Sequence, residues 1–87
     1  MDIKKAKSFL EEMIELCNQL EDEVLTDACS GIYKDVIAAK SVETLLSLAR
    51  EIMVFSSEAP WSELGMDDIR DEVEKIFNKI LEEYEEF

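Results

Sequence analysis

Hydrophobic residues recur at helical spacing along most of the chain. After Asp2, a good N-cap residue, apolar residues follow in alternating steps of three and four, which places one apolar stripe on a first helix. The stripe consists of Ile3, Ala6, Leu10, Met13, Cys17 and Leu20. Three more apolar residues widen it: Phe9, Ile14 and Leu16. A stripe of this width is typical of a helix that packs among several neighbours.

A second helix is predicted from apolar residues that recur every four positions, at Val24, Ala28, Ile32 and Val36. The register of the apolar pattern changes near residues 21–23, so we expect a tight turn there. No glycine or proline interrupts residues 10–30, and one long kinked helix is therefore the alternative.

Gly31 lies inside this second helical pattern. A glycine in a helix interior costs about 1 kcal/mol relative to alanine, so its presence needs a reason. The interpretation we favour is the close approach of another helix. The alternative is that the helix ends early, at Ser30 and Gly31, and that a new helix starts after it.

The third helix is predicted to begin after Ser41, a good N-cap, with Glu43 in a first turn where the helix dipole favours an acid. Only two charged residues lie within residues 45–55, so we expect this helix to be the most buried. Its broad apolar face consists of Val42, Leu45, Leu46, Ala49, Ile52, Met53 and Phe55.

A fourth helix is expected after Asp67 or Asp68, either of which can cap it. Its inner stripe consists of Ile69, Val73, Ile76, Ile80 and Tyr84. Four helices joined by short links predict a single all-α domain over residues 1–87, folded as a small antiparallel bundle of about four helices.

The stretch between the third and fourth helices, FSSEAPWSELGMDD at residues 55–68, contains the chain's only proline and its only tryptophan. In one interpretation, Ser57 caps a short turn. Trp61, Leu64 and Met66 then fold back onto Phe55 as a small apolar cluster separate from the core. In the other, the loop displays Trp61 and Met66 as anchors for a partner, because tryptophan and methionine are enriched at interaction sites.

Charge narrows the kinds of partner that the chain can bind. It carries 22 acidic and 9 basic residues, for a net charge of −13. Nucleic acids and anionic membrane surfaces both need basic protein surface, so neither is an expected partner, and basic proteins are the attractive ones. No apolar run approaches the roughly 18 residues of a membrane span, and MDIKKAKSF at the start has no secretory core segment, so we expect a cytoplasmic protein.

The usual catalytic side chains are poorly represented. The chain has no histidine, which removes the commonest proton shuttle and metal ligand. It has no glycine-rich phosphate loop and no aspartate-rich calcium loop, and we expect no cofactor. The two cysteines, Cys17 and Cys29, lie in apolar stripes, where we expect buried, reduced thiols; a redox or metal role is the alternative.

Paired carboxylates are the one pattern that suggests an enzyme. Glu12 and Glu15 stand three residues apart on the first helix, and Asp68 and Asp71 have the same spacing on the fourth. Facing carboxylates from two helices can hold Mg²⁺. The first pair is similar to the ExxE motif of the MazG-type all-α nucleotide pyrophosphohydrolases, which pair it with ExxD; the second pair approximates that motif, and no true ExxD occurs downstream. We favour a solvated acidic face, with a Mg²⁺-dependent nucleotide hydrolase as the alternative.

These patterns together favour a small acidic, non-enzymatic interaction protein, an adaptor or inhibitor that docks a basic surface of another protein. Besides Trp61 and Met66, the candidate contact residues are Tyr84 and Phe87, which lie among acidic residues at the end of the last helix. A lysine- or arginine-rich partner would relieve the repulsion between those acids and the helix dipole. Self-association into a homo-oligomer is a further expectation for so short a chain, and a structural subunit of a larger assembly is a third class of function.

Overall fold

The computed structural model describes residues 1–85, and four α-helices account for most of them. Helix α1 spans Ile3–Asn18, α2 spans Glu23–Ala38, α3 spans Val42–Ser57 and α4 spans Asp67–Glu85. These described residues contain no strand, and the helices pack against one another. The predicted all-α bundle of four helices is confirmed.

The first three helices each begin at a side-chain cap. Asp2, Asp22 and Ser41 accept hydrogen bonds from the backbone N–H three residues further on, at 2.7, 3.0 and 3.2 Å. Each cap provides an acceptor for a backbone N–H that has none within the helix. Such a cap stabilises a protein by about 1 kcal/mol. The caps predicted at Asp2 and Ser41 are confirmed, whereas the apolar pattern indicates Asp22 only as a turn residue.

Helix α4 begins slightly earlier than its pattern predicts. Asp67 and Asp68 both lie in its first turn, so the prediction that one of them precedes the helix as its cap is wrong. The position still suits an acid, because the positive end of the helix dipole attracts it. Asp67 also accepts a hydrogen bond from Ser62 Oγ at 2.8 Å and pairs with Arg70 at 3.1 Å.

Residues 19–22 form the tight turn between α1 and α2. Glu21 is the only non-glycine residue within 1–85 that has a positive φ, at 59°, a conformation that usually favours glycine. Leu20 and Leu25 are buried on either side of the turn, so the chain reverses between two leucines that both reach the core. The predicted turn is confirmed, and the alternative of one long kinked helix is wrong.

Gly31 lies in the middle of α2, which continues without a break to Ala38. It is exposed, and a methyl group added at its Cα would meet no neighbouring atom within 4 Å. Both interpretations of this glycine, a close helix approach and an early helix end, are therefore wrong. The backbone is helical and the surrounding space is open, so alanine fits at this position.

Helix α1 runs antiparallel to both α2 and α4. Lys7, near the start of α1, donates a hydrogen bond from Nζ to the backbone oxygen of Ile37, near the end of α2, at 2.9 Å. Lys5 forms an ion pair with Glu83, near the end of α4. The first and last helices are therefore joined by side-chain contacts at one end of the bundle.

Helix α3 occupies the centre of the bundle together with α1. Within the described part of the chain, each of these two helices contacts all three others, whereas α2 and α4 do not contact each other. Helix α3 contributes six buried residues and α1 contributes five, which confirms the prediction that the third helix is the most buried. Cys17 and Cys29 are buried and not bonded to each other, as predicted.

The antiparallel arrangement gives the bundle two ends. The connector end holds the turn at residues 19–22 and the connector, residues 58–66, which links α3 to α4. The terminal end holds the start of α1, the link between α2 and α3 at residues 39–41, and the last turns of α4. Candidate binding residues occur at both ends.

Candidate partner-binding site

The connector buries its tryptophan. The Trp61 side chain is 2% exposed, and its Nε1 donates a hydrogen bond to the backbone oxygen of Ser56 at 2.7 Å. The backbone N–H of Met66 donates to the Trp61 oxygen at 2.8 Å, which closes the connector on itself. The ring is buried and its N–H has a hydrogen-bond acceptor inside the protein. The interpretation in which the loop displays Trp61 is therefore wrong.

Trp61 belongs to the main core and not to a separate cluster. Phe55 and Leu64, the residues expected to pack with it, are 39% and 56% exposed. Ser57 does not cap a turn; its Oγ donates to the Val54 oxygen at 2.7 Å, because α3 extends as far as Ser57. The fold-back interpretation is therefore correct for Trp61 and wrong for the cluster it was expected to form.

The remaining predicted contact residues are only partly accessible. Met66 and Tyr84 are half-buried and pack against the core. Tyr84 lies at the terminal end, in a groove that it shares with Met1, Val42 and Glu43. Phe87 lies outside the described residues. The structure therefore points to a different surface as the best candidate for contact with a partner.

Large exposed hydrophobic side chains concentrate at the connector end. Of the six in the described part of the chain, Val24, Val54, Phe55 and Leu64 lie there. Val24 is the most exposed of them, at 70%. A groove of about 210 Å³ between the start of α2 and the end of α3 is lined by Val24, Leu25, Phe55, Ala59 and Pro60, and also by Asp22 and Glu58. We call this the apolar groove.

The negative charge is concentrated at the same end. Residues 8–33 contain seven acids and no base, and residues 51–69 contain five acids and no base. These two acidic segments therefore carry twelve of the thirteen net negative charges, and the other 42 residues carry one. The antiparallel fold brings these acids into one half of the bundle, because they lie in the second half of α1, the first turns of α2, the second half of α3, the first turn of α4 and the two links at that end.

At the terminal end, acids and bases are balanced. Lys5 pairs with Glu83, and its Nζ also lies 5.9 Å from the centre of the Phe9 ring. Lys5, Phe9, Lys79, Glu82 and Glu83 line one groove between α1 and α4. Glu82 and Glu83, two of the acids for which the sequence suggests docking of a basic partner, therefore share a groove with lysines of the same chain.

The four carboxylates considered as metal ligands are all exposed: Glu12, Glu15, Asp68 and Asp71. Asp71 accepts a hydrogen bond from Arg70 Nη2 at 3.4 Å. Glu15 lines a groove with residues of α2, and α2 does not contact α4 in the described part of the chain. Within that part, no group of three or more Asp, Glu, Cys or His side chains is placed to hold a metal ion.

No known family, curated protein or solved structure matches the chain. Among residues 1–85, no helix combines the length and the apolar character needed to cross a membrane. The functional assignment therefore depends on the surface of this molecule alone.

Sequence reasoning missed the apolar groove because Val24 and Phe55 both belong to apolar helical patterns, which predict burial. The two base-free segments are visible in the sequence, and they are the signal that points to this end of the molecule. Their meeting at one end, next to exposed hydrophobic side chains, depends on the order in which the helices pack.

Proposed function

We propose that the protein is a non-enzymatic interaction protein, an adaptor or inhibitor that docks a basic segment of another protein through its connector end. One observation carries the proposal: an exposed apolar groove at that end is lined by residues of two segments that together contain twelve acids and no base. Protein interfaces commonly combine such an apolar centre with a polar rim.

Each part of this surface has a separate physical role in binding. Contact with the exposed Val24 and Phe55 side chains removes apolar area from water, which stabilises the complex and slows dissociation. The surrounding acids attract a positively charged partner from a distance and speed association. The partner that fits is a lysine- or arginine-rich segment that also carries apolar side chains.

The charge of the connector end also favours a different protein over a second copy of this chain as the partner. Two copies joined at their connector ends would bring two strongly acidic surfaces together, which like-charge repulsion opposes. We therefore infer a heterologous partner at the apolar groove. A homo-oligomer would have to form through another face.

The proposal is tested by affinity capture from a native lysate with the unmodified chain and two matched variants, followed by mass spectrometry and titration of the captured protein. Val24→Ser changes the apolar groove, and Ile37→Ser changes a similarly exposed residue at the terminal half of α2. We expect Val24→Ser to weaken binding about tenfold, which is about 1.4 kcal/mol. Ile37→Ser should leave the affinity unchanged.

A second matched pair tests the acidic rim. Glu58→Gln should slow association at low salt and leave dissociation nearly unchanged, whereas Glu82→Gln at the terminal end should do neither. Equal effects of the two variants in each pair, or capture of no specific protein, would contradict the proposal.

A further inference from the structure

A second groove borders α2 on the side of α1, whereas the apolar groove borders it on the side of α3. The second groove has a volume of about 390 Å³, which is within the usual range for a ligand pocket, about 300–1,000 Å³. We call it the α1–α2 groove. Leu25 lines the apolar groove and its neighbour Thr26 lines the α1–α2 groove. The first turns of α2 therefore separate the two grooves.

The α1–α2 groove combines a small apolar area with polar side chains. Ile14 and Cys29 are its two buried lining residues. Every other side chain that lines it is exposed and carries an oxygen atom, and none is basic. Tyr33 is 41% exposed, so part of its ring is open to a ligand. The groove therefore offers hydrogen-bond acceptors and an aromatic ring, and no positive charge.

The two carboxylates of the groove, Glu11 and Glu15, have no opposite charge beside them. They stand four residues apart on α1, a spacing at which side chains of like charge are neighbours and repel each other. No ion pair among residues 1–85 includes either of them, and no base occurs within residues 8–33. A cation bound between the two carboxylates would relieve this repulsion.

A guanidinium group is the cation that fits these side chains best. It forms paired hydrogen bonds with a carboxylate, and its plane stacks on aromatic rings such as that of Tyr33. The methylene groups of an arginine side chain can also cover apolar surface such as that of Ile14. An ammonium group has the charge but cannot form the paired hydrogen bonds.

We infer that the α1–α2 groove binds an arginine side chain of the same partner segment that contacts the apolar groove. This inference rests on the proposed function, because it takes the partner to be basic. A helix with its side chains is about 10–12 Å across, and an extended chain covers about 3.3–3.6 Å per residue, so the arginine stands roughly four residues from the apolar side chain. Between the grooves the segment crosses α2 near Glu23 and Asp27, which are exposed.

The first test examines the α1–α2 groove alone. The full-length, isotope-labelled chain is titrated with N-acetylarginine amide and with N-acetylcitrulline amide, which is neutral and has nearly the same shape. We expect only the arginine compound to shift the amide NMR signals of the groove residues.

Matched double variants test the role of the two carboxylates. Glu11→Gln with Glu15→Gln should weaken binding of the arginine compound about tenfold, since each exposed charge pair contributes on the order of threefold. Glu12→Gln with Glu51→Gln makes the same change in net charge at exposed positions outside the groove, and should change binding by no more than about twofold. Equal effects of the two double variants, or equal binding of the citrulline compound, would overturn the inference.

The second test examines the spacing with a synthetic peptide that carries one phenylalanine and one arginine four residues apart in a serine–glycine sequence. We expect it to bind at least about tenfold more tightly than peptides in which citrulline replaces the arginine or serine replaces the phenylalanine. Val24→Ser and the Glu11→Gln, Glu15→Gln variant should each remove this advantage. An effect of Val24→Ser alone would overturn the inference and leave the proposed function standing. No effect of Val24→Ser would contradict the proposed function and with it the shared segment, whatever the result with the arginine compound.

Discussion

The two ends of the bundle are built from the same kind of helix, yet they differ in the balance of acids and bases and in how much apolar surface they expose. At the terminal end, Lys5 pairs with Glu83, and Tyr84 packs against the core. At the connector end, twelve acids in two segments lack any base among them, and Val24 and Phe55 remain exposed. Twelve of the thirteen net negative charges therefore belong to two segments that meet toward the connector end, and the other 42 residues carry one.

The connector shows the same contrast over a few residues. Trp61 is buried and hydrogen-bonded to Ser56, whereas Phe55, six positions earlier, is partly exposed beside the apolar groove. One aromatic residue therefore holds the connector in place, and the other is available at the surface. We expect the first to contribute to stability and propose the second as a contact for the partner.

The largest expected effect separates these two aromatic residues. Trp61→Ala should destabilise the protein by about 3–5 kcal/mol, because it leaves a cavity in the core and removes the hydrogen bond to Ser56. Phe55→Ala should cost clearly less, since the ring is already partly in water. Urea unfolding of both variants measures the difference. Similar losses would show that Phe55 contributes to the core as much as Trp61 does.

A truncation after Leu81 tests the terminal end. It removes Glu83 and Tyr84, so we expect a loss of about 1–2 kcal/mol from the half-buried tyrosine and its packing. The ion pair should add little, because exposed pairs contribute about 0–1 kcal/mol. If the apolar groove is the docking site, the truncated chain should keep its affinity for the captured partner. A large loss of affinity in a chain that remains folded would move the site to the terminal end.

The two glycines should respond to alanine in opposite directions. Gly65, in the connector, has a φ of +67°, so Gly65→Ala should destabilise the protein by about 1 kcal/mol. Gly31 is helical and has open space around it, so Gly31→Ala should stabilise it by about 1 kcal/mol. Thermal or urea unfolding provides the test. Destabilisation by Gly31→Ala would mean that something close to α2 needs the space.

The smallest expected effect concerns metal. If Glu15 and Asp71 belong only to a solvated acidic surface, millimolar Mg²⁺ should shift the melting temperature by about 1 °C or less relative to NaCl of equal ionic strength. A larger rise that disappears in Glu15→Gln or Asp71→Asn would indicate a bound ion. That result would favour the nucleotide hydrolase alternative over a docking surface.

Much of the fold could be predicted because its causes are local. The alternating three- and four-residue steps identified the helices, and the caps at Asp2 and Ser41 depend on residues only three positions away. The turn near Glu21 followed from a change in the apolar register. The acidic composition likewise indicated that a partner with a basic surface would be attracted.

The candidate site could not be predicted in the same way, because its parts are distant in the sequence. Periodicity marks Val24 and Phe55 as apolar helix positions, but only the packing of α2 beside α3 decides that both border an open groove. Packing likewise decided that Trp61 is buried. The helices follow from residues a few positions apart, and the net charge follows from composition, so the chain alone is enough to predict both. Which side chains share a surface depends on how separate helices pack, so that could be found only in the folded molecule.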